Sequence, residues 1–493
     1  MTRVEVRRTE HRLEPDVRRV IAKPYLFGEE IAGGWPSRSA LLMERVLGIP
    51  ESQVRGLVEG IVADFSSRHG GFEALLERHF DQVSHHLGPN AGPVSRERRL
   101  LIGAYFTHEY SIEASALFNP SIVLAPDQSR LAAGAKRVIM SLRAVGEGHI
   151  SSIEFRSGVI DAAGALTFDP LGPHLVGGDR TDPATYDKHL FGLKLGELGA
   201  QNELTSMVLD RLSDAFSLAE LEQSLALLEA DGPPHAISFE TTKIIRLLAA
   251  SNYVTRFPAD SALSERVLFP AGPHESHGME DARFVRFVEA GGASRYYATY
   301  TAFDGFEILP QLIETEDFVS FRISTLNGSA AQNKGMALFP RRIGGKYVML
   351  SRKDRENLYL ATSDNVRFWN HATELDRPRA PWELVQIGNC GSPLETEAGW
   401  LVLTHGVGAM RRYAIGALLL DLEDPLRVIG RLDAPLLEPD ASEREGYVPN
   451  VVYTCGALVN GDNLVLPYGM SDAAIGVAVI ALPELLAALR QGS

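Results

Sequence analysis

Between His274 and Arg283 the segment HESHGMEDAR gathers acid, base and cation: His274, Glu275, His277, Glu280, Asp281 and Arg283. A carboxylate in such a cluster can serve as a general acid, and a guanidinium two residues away can orient it or hold an anion. If the segment runs as a strand, alternation sends Asp281 and Arg283 to one face and Glu280 to the other. A carboxylate beside a guanidinium is also the ordinary form of a plain ion pair. The chemistry must therefore be judged by what the rest of the chain brings to this segment. His274, Glu275 and His277 do not amount to a metal site, because no further ligand follows at a usual spacing.

The elements that must position these residues repeat. A turn, an apolar run, a polar residue at its end and a second apolar run recur at KRVIMSLRAVGEGHISSIEF, SRYYATYTAFDG, GKYVMLSRKDRENLYLATSD, GWLVLTHGVGAMRRYAIGALLLD and DNLVLPYGMSDAAIGVAVIAL. Five β-meanders in succession predict a mainly β chain built as a β-propeller. Radial packing would turn Arg143, Thr301, Arg352, His405 and Tyr468 toward one polar funnel suited to a small molecule. Gly344–Gly345, Ser363–Asp364–Asn365 and Asn460–Gly461–Asp462 read as turns between strands, so Asp364 is assigned to a turn and not to chemistry.

Two blocks carry the helical period instead. ALLMERVLGI, QVRGLVEGIVADF and GFEALLERHFDQVSHHL predict an N-terminal helical region over residues 1–110, and a helical insertion over about 182–251 interrupts the strands of 111–485. The Ser and Glu of AFSLAELEQ are a helix-start signal. Both blocks are expected to pack against the propeller or to carry homo-oligomer contacts.

The 493 residues are 45% hydrophobic and 23% charged, an ordinary globular balance. A net charge of −15 disfavours nucleic acid and anionic membranes as partners, so any phosphate site must be local. The opening MTRVEVRRTEHRLEPD lacks a signal-peptide core, and no apolar run of about 18 residues occurs. Two cysteines, Cys390 and Cys455, permit one bridge but no disulfide framework. A soluble cytoplasmic protein is expected.

GMEDARF with RYYATYTAFDG, then KGMALFPRRIGGKYVMLSR, IGNCGSPLETEAGWLVLTHGV, GYVPNVVYTCGALV and YGMSD resemble, in order, the mannoside phosphorylases and β-mannosidases of glycoside hydrolase family 130. The resemblance covers about residues 112–485 apart from the helical insertion. It implies a five-bladed propeller and inverting cleavage of β-mannosides, with β-1,2 linkages the first expectation. By this resemblance Asp281 is the general acid, its proton reaching the bridging oxygen through a sugar hydroxyl. The family's Asp-Pro-Arg step reads Asp281–Ala282–Arg283 here.

The same resemblance assigns Arg352, His405 and Lys334 to phosphate. It assigns Asn119, Arg143, Arg283, Tyr300, Asp304, Gln386 and Asp472 to the sugar's surroundings. Gln386 replaces a family lysine, which removes one positive charge, and Pro120 replaces a polar residue after Asn119. The expected reaction is phosphorolysis of a β-mannoside oligosaccharide to α-mannose 1-phosphate, with inorganic phosphate as co-substrate and no cofactor or metal. Its rival is an inverting β-mannosidase that uses water and a carboxylate base drawn from Glu275, Glu280 or Glu383. A glycan-binding propeller without turnover is a third reading, and no Gly-rich nucleotide loop supports a nucleotide-sugar transferase.

Overall fold

The computed structural model describes residues 4–27, 37–87, 92–231 and 236–491. Parts of the predicted N-terminal region, at 1–3, 28–36 and 88–91, lie outside the described residues. Among those described, the chain is mainly β, organised as five antiparallel meanders. The first runs through Ala116–Leu124, Lys136–Val145, Ser151–Ile160 and Leu166–Phe168, and the second through Gly278–Val288, Ser294–Phe303, Ile308–Thr315 and Ser320–Thr325. Ala337–Leu338, Tyr347–Ser351, Leu358–Ser363 and His371–Asp376 make the third, and Gln386–Asn389, Gly399–Val407, Tyr413–Leu420 and Val428–Arg431 the fourth. The fifth pairs Val452–Tyr453, Asn463–Met470 and Ala474–Ala481 with a strand from the far end of the chain, Val6–Leu13.

That last pairing corrects the reading of residues 1–110 as helical. Val6–Leu13 carries Arg7, Arg8, Glu10 and Arg12, yet it lies antiparallel to Ala474–Ala481 with Val6 opposite Ile480. A second short strand, Val20–Pro24, pairs with Thr107–Ser111. Between them stand the helices Arg38–Leu47, Glu51–Phe65, Phe72–Val83 and Arg96–Tyr105, which share a core of Met43, Val54, Leu76, Phe80 and Leu101. Their closest approach depends on Gly103, where a Cβ would stand 2.0 Å from the Leu76 carbonyl oxygen.

The helical insertion comprises Lys188–Glu197, Glu203–Asp210, Leu218–Asp231 and Ala236–Ala250, with Phe191, Leu195, Val208, Leu221 and Ile245 in its own core. The Ser217 hydroxyl accepts from the Glu220 N–H while the Glu220 carboxylate accepts from the Ser217 N–H, the reciprocal cap that the sequence suggested. Lys194 Nζ anchors the insertion to the Leu326 carbonyl at 2.8 Å. Cys390 and Cys455 are buried free thiols, so the permitted bridge is not made. No helix among the described residues is long and apolar enough to cross a membrane.

The recurrent motif found in the sequence corresponds to the second and third strands of each meander. The first strands carry no such regular pattern, because they are short or bulged, and they bring much of the chemistry to the site.

Candidate active site

Two bulges build the centre. Strand pairing shifts register between Phe118 and Ser121 in the first strand of meander one, and between Glu280 and Arg283 in the first strand of meander two. At these points Asn119 and Asp281 adopt positive φ angles of 47° and 53°. A bulge re-aims a side chain that regular pleating would direct elsewhere. Here the two re-aimed side chains meet, Asn119 Nδ2 donating to Asp281 Oδ1 at 2.7 Å.

The second bulge also overturns the expected alternation. Glu280 and Asp281 both face Arg143, whose Nη2 lies 2.7 Å from Glu280 Oε1 and whose Nη1 lies 3.2 Å from Asp281 Oδ1. Arg143 is steadied by Ser151 Oγ at 2.9 Å, and Lys334 Nζ reaches Glu280 Oε2 at 3.2 Å. Arg283 is 2% exposed and ties three meanders together. Its Nε donates to the Cys390 carbonyl, its Nη1 to the Asp281 carbonyl and its Nη2 to Tyr453 Oη, each at 2.8 Å. It lies 3.9 Å from the Asp281 carboxylate, so it fixes the backbone first and the charge second.

Arg352 and His405 form the other wall. His405 Nδ1 stands 3.2 Å from the Asn389 carbonyl and must donate there, which leaves Nε2 to accept from Arg352 Nη1 at 3.0 Å. Burial, with Arg352 and Arg283 nearby, holds the imidazole well below its usual pKa and therefore neutral at pH 7. Gly388 makes room for the pair, since a Cβ there would sit 2.6 Å from His405 Cε1 and 3.1 Å from Arg352 Cδ. Arg352 Nε is buried without a protein partner.

These residues line one open pocket that spans about 640 Å³ with the solvent at its mouth included. Of the predicted site residues, Asn119, Arg143, Asp281, Arg283, Lys334, Arg352, His405 and Asp472 face it together. Tyr300, Asp304 and Gln386 do not line it. Tyr300 is buried behind it and donates to Glu275, while Asp304 Oδ1 accepts from the N–H groups of Phe306 and Glu307 in a turn. Gln386 opens a strand opposite Val407. Two residues expected at the funnel are also elsewhere: Thr301 is buried within its sheet, and Tyr468 donates to Glu443 at 2.6 Å. The sequence reading missed Gly335, Arg411, Tyr413, Val448, Val451 and Tyr453, which complete the lining. Arg411 was findable, because it occupies the hairpin tip after LVLTH just as Asp472 occupies the tip after LVLPYGM.

Five cationic side chains, Arg143, Arg283, Lys334, Arg352 and Arg411, face two carboxylates in this cavity. Burial pushes Asp281 up, but Arg143, Arg283, Asn119 and Lys334 outweigh it and hold the carboxyl at about 2. Asp472 is pushed up to about 7 by burial and by the charge of Asp281, against the pull of Arg143 and Arg411. One carboxylate is thus ionised and the other half-protonated near neutrality. Such a chamber can hold an anion beside a polyhydroxylated ligand.

The glutamates considered as a base for water are otherwise engaged. Glu275 is fully buried and accepts from Tyr253 and Tyr300 hydroxyls and from the Ala271 and Gly272 N–H groups. Glu383, also fully buried, accepts from the Arg379 and Ala380 N–H groups and from Arg431. Glu280 is held by Arg143 and Lys334. Among the described residues no cluster of three or more His, Cys, Asp or Glu side chains could hold a metal ion.

Comparison with known proteins agrees with this chemistry. The family model described as beta-1,4-mannooligosaccharide phosphorylase, of glycoside hydrolase family 130, matches residues 255–491. A 1,2-beta-oligomannan phosphorylase of Thermoanaerobacter sp. (strain X514) is 35% identical over 230 residues, 45% of this chain and 75% of that protein. A beta-1,2-mannobiose phosphorylase of Listeria innocua serovar 6a is 31% identical over 291 residues, 58% of this chain and 78% of the relative. The solved structure of the beta-1,2-mannobiose phosphorylase from Listeria innocua with beta-1,2-mannobiose aligns over 78% of this chain and 93% of its own, at 24% identity and a TM-score of 0.46. With relatives above 30% identity matched over three quarters of their length, the chain belongs to glycoside hydrolase family 130.

Proposed function

We propose that the protein is an inverting phosphorylase of β-mannosides, β-1,2-linked ones first, and that its product is α-mannose 1-phosphate. The observation that carries this reading is the Arg352–His405 pair on the wall of a cavity shared with Asp281. An anion taken from water into a sugar-sized chamber needs paired donors and positive charge. Arg352 offers a buried Nε–H that no protein atom satisfies, and Lys334 and Arg411 add charge in the same chamber.

Asp281 supplies the acid. Its cationic neighbours keep it ionised, but a phosphate bound at Arg352 and His405 adds negative charge, which raises the carboxyl toward its protonated form. Asp281 then gives its proton, through a hydroxyl of the bound mannosyl unit, to the bridging oxygen. The C1–O bond breaks as a phosphate oxygen bonds to C1 from the opposite face, which inverts the configuration. Asn119, Arg143, Arg283 and Asp472 orient the sugar and the acid. Tyr300, Asp304 and Gln386 lie outside the cavity lining and are given no contact with the sugar.

The hydrolase reading has less support, because Glu275, Glu280 and Glu383 all lie outside the cavity lining, Glu275 spends both oxygens on the fold and Glu280 is clamped by two cations. We further infer that the five meanders are the blades of a β-propeller, with Val6–Leu13 closing the last blade, and that the helical segments carry subunit contacts. A cytoplasmic location is part of this proposal, since inorganic phosphate and a phosphorylated product are both retained there. Incubation with β-1,2-mannobiose should give α-mannose 1-phosphate only when phosphate is present. Release of free mannose at full rate without phosphate would overturn the proposal.

A further inference from the structure

Between the helical insertion and the second meander lies another pocket, which shares no lining residue with the catalytic cavity. It spans about 460 Å³ with the solvent at its mouth included. Tyr186, Leu190 and Phe191 of the insertion give it an apolar wall, and the end of the strand Ser320–Thr325 with Asn327 gives it a polar one. Two side chains of the polar wall are buried without a partner. Ser324 is 6% exposed and Asn327 2%, and neither Ser324 Oγ nor Asn327 Oδ1 meets a protein group to bond with. The orientation of the Asn327 amide is fixed, because its Nδ2 donates to the Thr325 carbonyl at 3.3 Å and to the Arg367 carbonyl at 3.0 Å. Oδ1 can therefore only accept. Buried polar atoms left unpaired are costly, so both oxygens call for a polar occupant of the pocket.

Arg322, on the same wall, carries a charge that the protein does not balance. Glu314 stands opposite it in the sheet, but the Glu314 carboxylate accepts from Nε and Nη2 of Arg367, a second guanidinium of the lining. Among the described residues Arg322 makes no ion pair, and its Nη2 reaches only the Thr185 carbonyl, at 3.5 Å. Burial and the nearby Arg367 push its pKa down, against the pull of Glu314. The one carboxylate of the lining, Asp187, caps the helix Lys188–Glu197, its Oδ1 accepting from the Leu190 N–H at 2.9 Å. A guanidinium without a counter-ion, beside a buried hydroxyl and a buried acceptor, suits an oxyanion that also has a hydrogen to donate.

We propose that this pocket is a second, non-catalytic anion site for a phosphate group with a hydrogen-bond donor of its own, either inorganic phosphate or a phosphomonoester bearing a hydroxyl. The phosphoryl oxygens accept from Arg322 and from the Ser324 hydroxyl, and the ligand's O–H donates to Asn327 Oδ1. Sulfate resembles phosphate in size and charge but has no proton to give at neutral pH, so it can answer Arg322 and leaves Asn327 unpaired. The net charge of the chain is negative, and the attraction is local to this wall. A ligand held between the insertion and the meander stabilises the docking of one on the other, since it binds only where both walls are in place.

Isothermal titration calorimetry on the full chain tests this, in an Arg352→Ala background so that the catalytic cavity lacks its own phosphate clamp. Inorganic phosphate and glycerol 1-phosphate are titrated separately, which tells the free ion from the ester, and sulfate is the control. At least one of the two phosphates should bind one site per chain, more tightly than sulfate. Adding Arg322→Gln, a change at a solvent-accessible position, should weaken that binding roughly ten- to hundred-fold. Ser324→Ala should weaken it in the same direction by less. Absence of phosphate and ester binding in the Arg352→Ala background overturns the site. So does binding that Arg322→Gln leaves unchanged, or sulfate bound as tightly as phosphate.

Discussion

Asp281 and Asp472 share a cavity, yet their surroundings drive their carboxyls apart, to about 2 and about 7. Asp281→Asn keeps the hydrogen-bonding shape and removes the proton donor, so kcat should fall roughly 10²- to 10⁴-fold with KM for the mannoside little changed. Steady-state kinetics checks this. Asp472 has a stability consequence with a definite sign. Its folded pKa lies above the usual carboxylate value, so the native state binds more protons than the unfolded chain between about pH 4 and pH 7. Its contribution is present in full below the unfolded pKa and is lost as pH rises through 7. Asp472→Asn should therefore be more stable than the wild type at pH 8 and lose that advantage by pH 4, as thermal melts at the two pH values would show. Asp281 and Arg352 were legible in the sequence because they stand in motifs with a family meaning. Arg283's bonds to the Cys390 carbonyl and the Tyr453 hydroxyl were not, since both partners are more than a hundred residues away.

At the scale of elements, the first strands of the meanders matter most, and they are the ones whose sequence is least regular. Period-two alternation tells which face a residue occupies only while pairing stays in register. It placed Glu280 away from Asp281, and the bulge at Asp281–Ala282 reverses that. The radial repeat placed Tyr468 on the funnel, although the residue is outside the cavity lining and its hydroxyl donates to buried Glu443. The regular second and third strands were found readily because their apolar runs are long. Gly388 on the first strand of the fourth meander shows how such a strand sets the site. In Gly388→Ala the new methyl meets His405 and Arg352, so the pair must move apart. Overpacking of this kind costs about 1–3 kcal/mol. The predicted outcome is a KM for phosphate raised at least several-fold, with a smaller change in KM for the mannoside, and equal changes in both would contradict it.

Across the whole molecule, chain ends and insertions organise around the site without lining it. Val6–Leu13 completes the fifth meander, and Arg8 within it reaches Glu443 across more than four hundred residues of sequence. Composition could not reveal this, because a strand so rich in charge lacks the apolar signature of its partners. The helical insertion, by contrast, was legible from its period and its Ser217–Glu220 cap. The meanders surround a chamber whose excess of cations over carboxylates makes inorganic phosphate the expected nucleophile. Following the wild-type reaction on β-1,2-mannobiose and phosphate by ³¹P and ¹H NMR tests that claim most directly. One α-mannose 1-phosphate should appear for each bond cleaved, formed from the first time point. Free mannose as the first product, or the β-anomer of the phosphate, would contradict it.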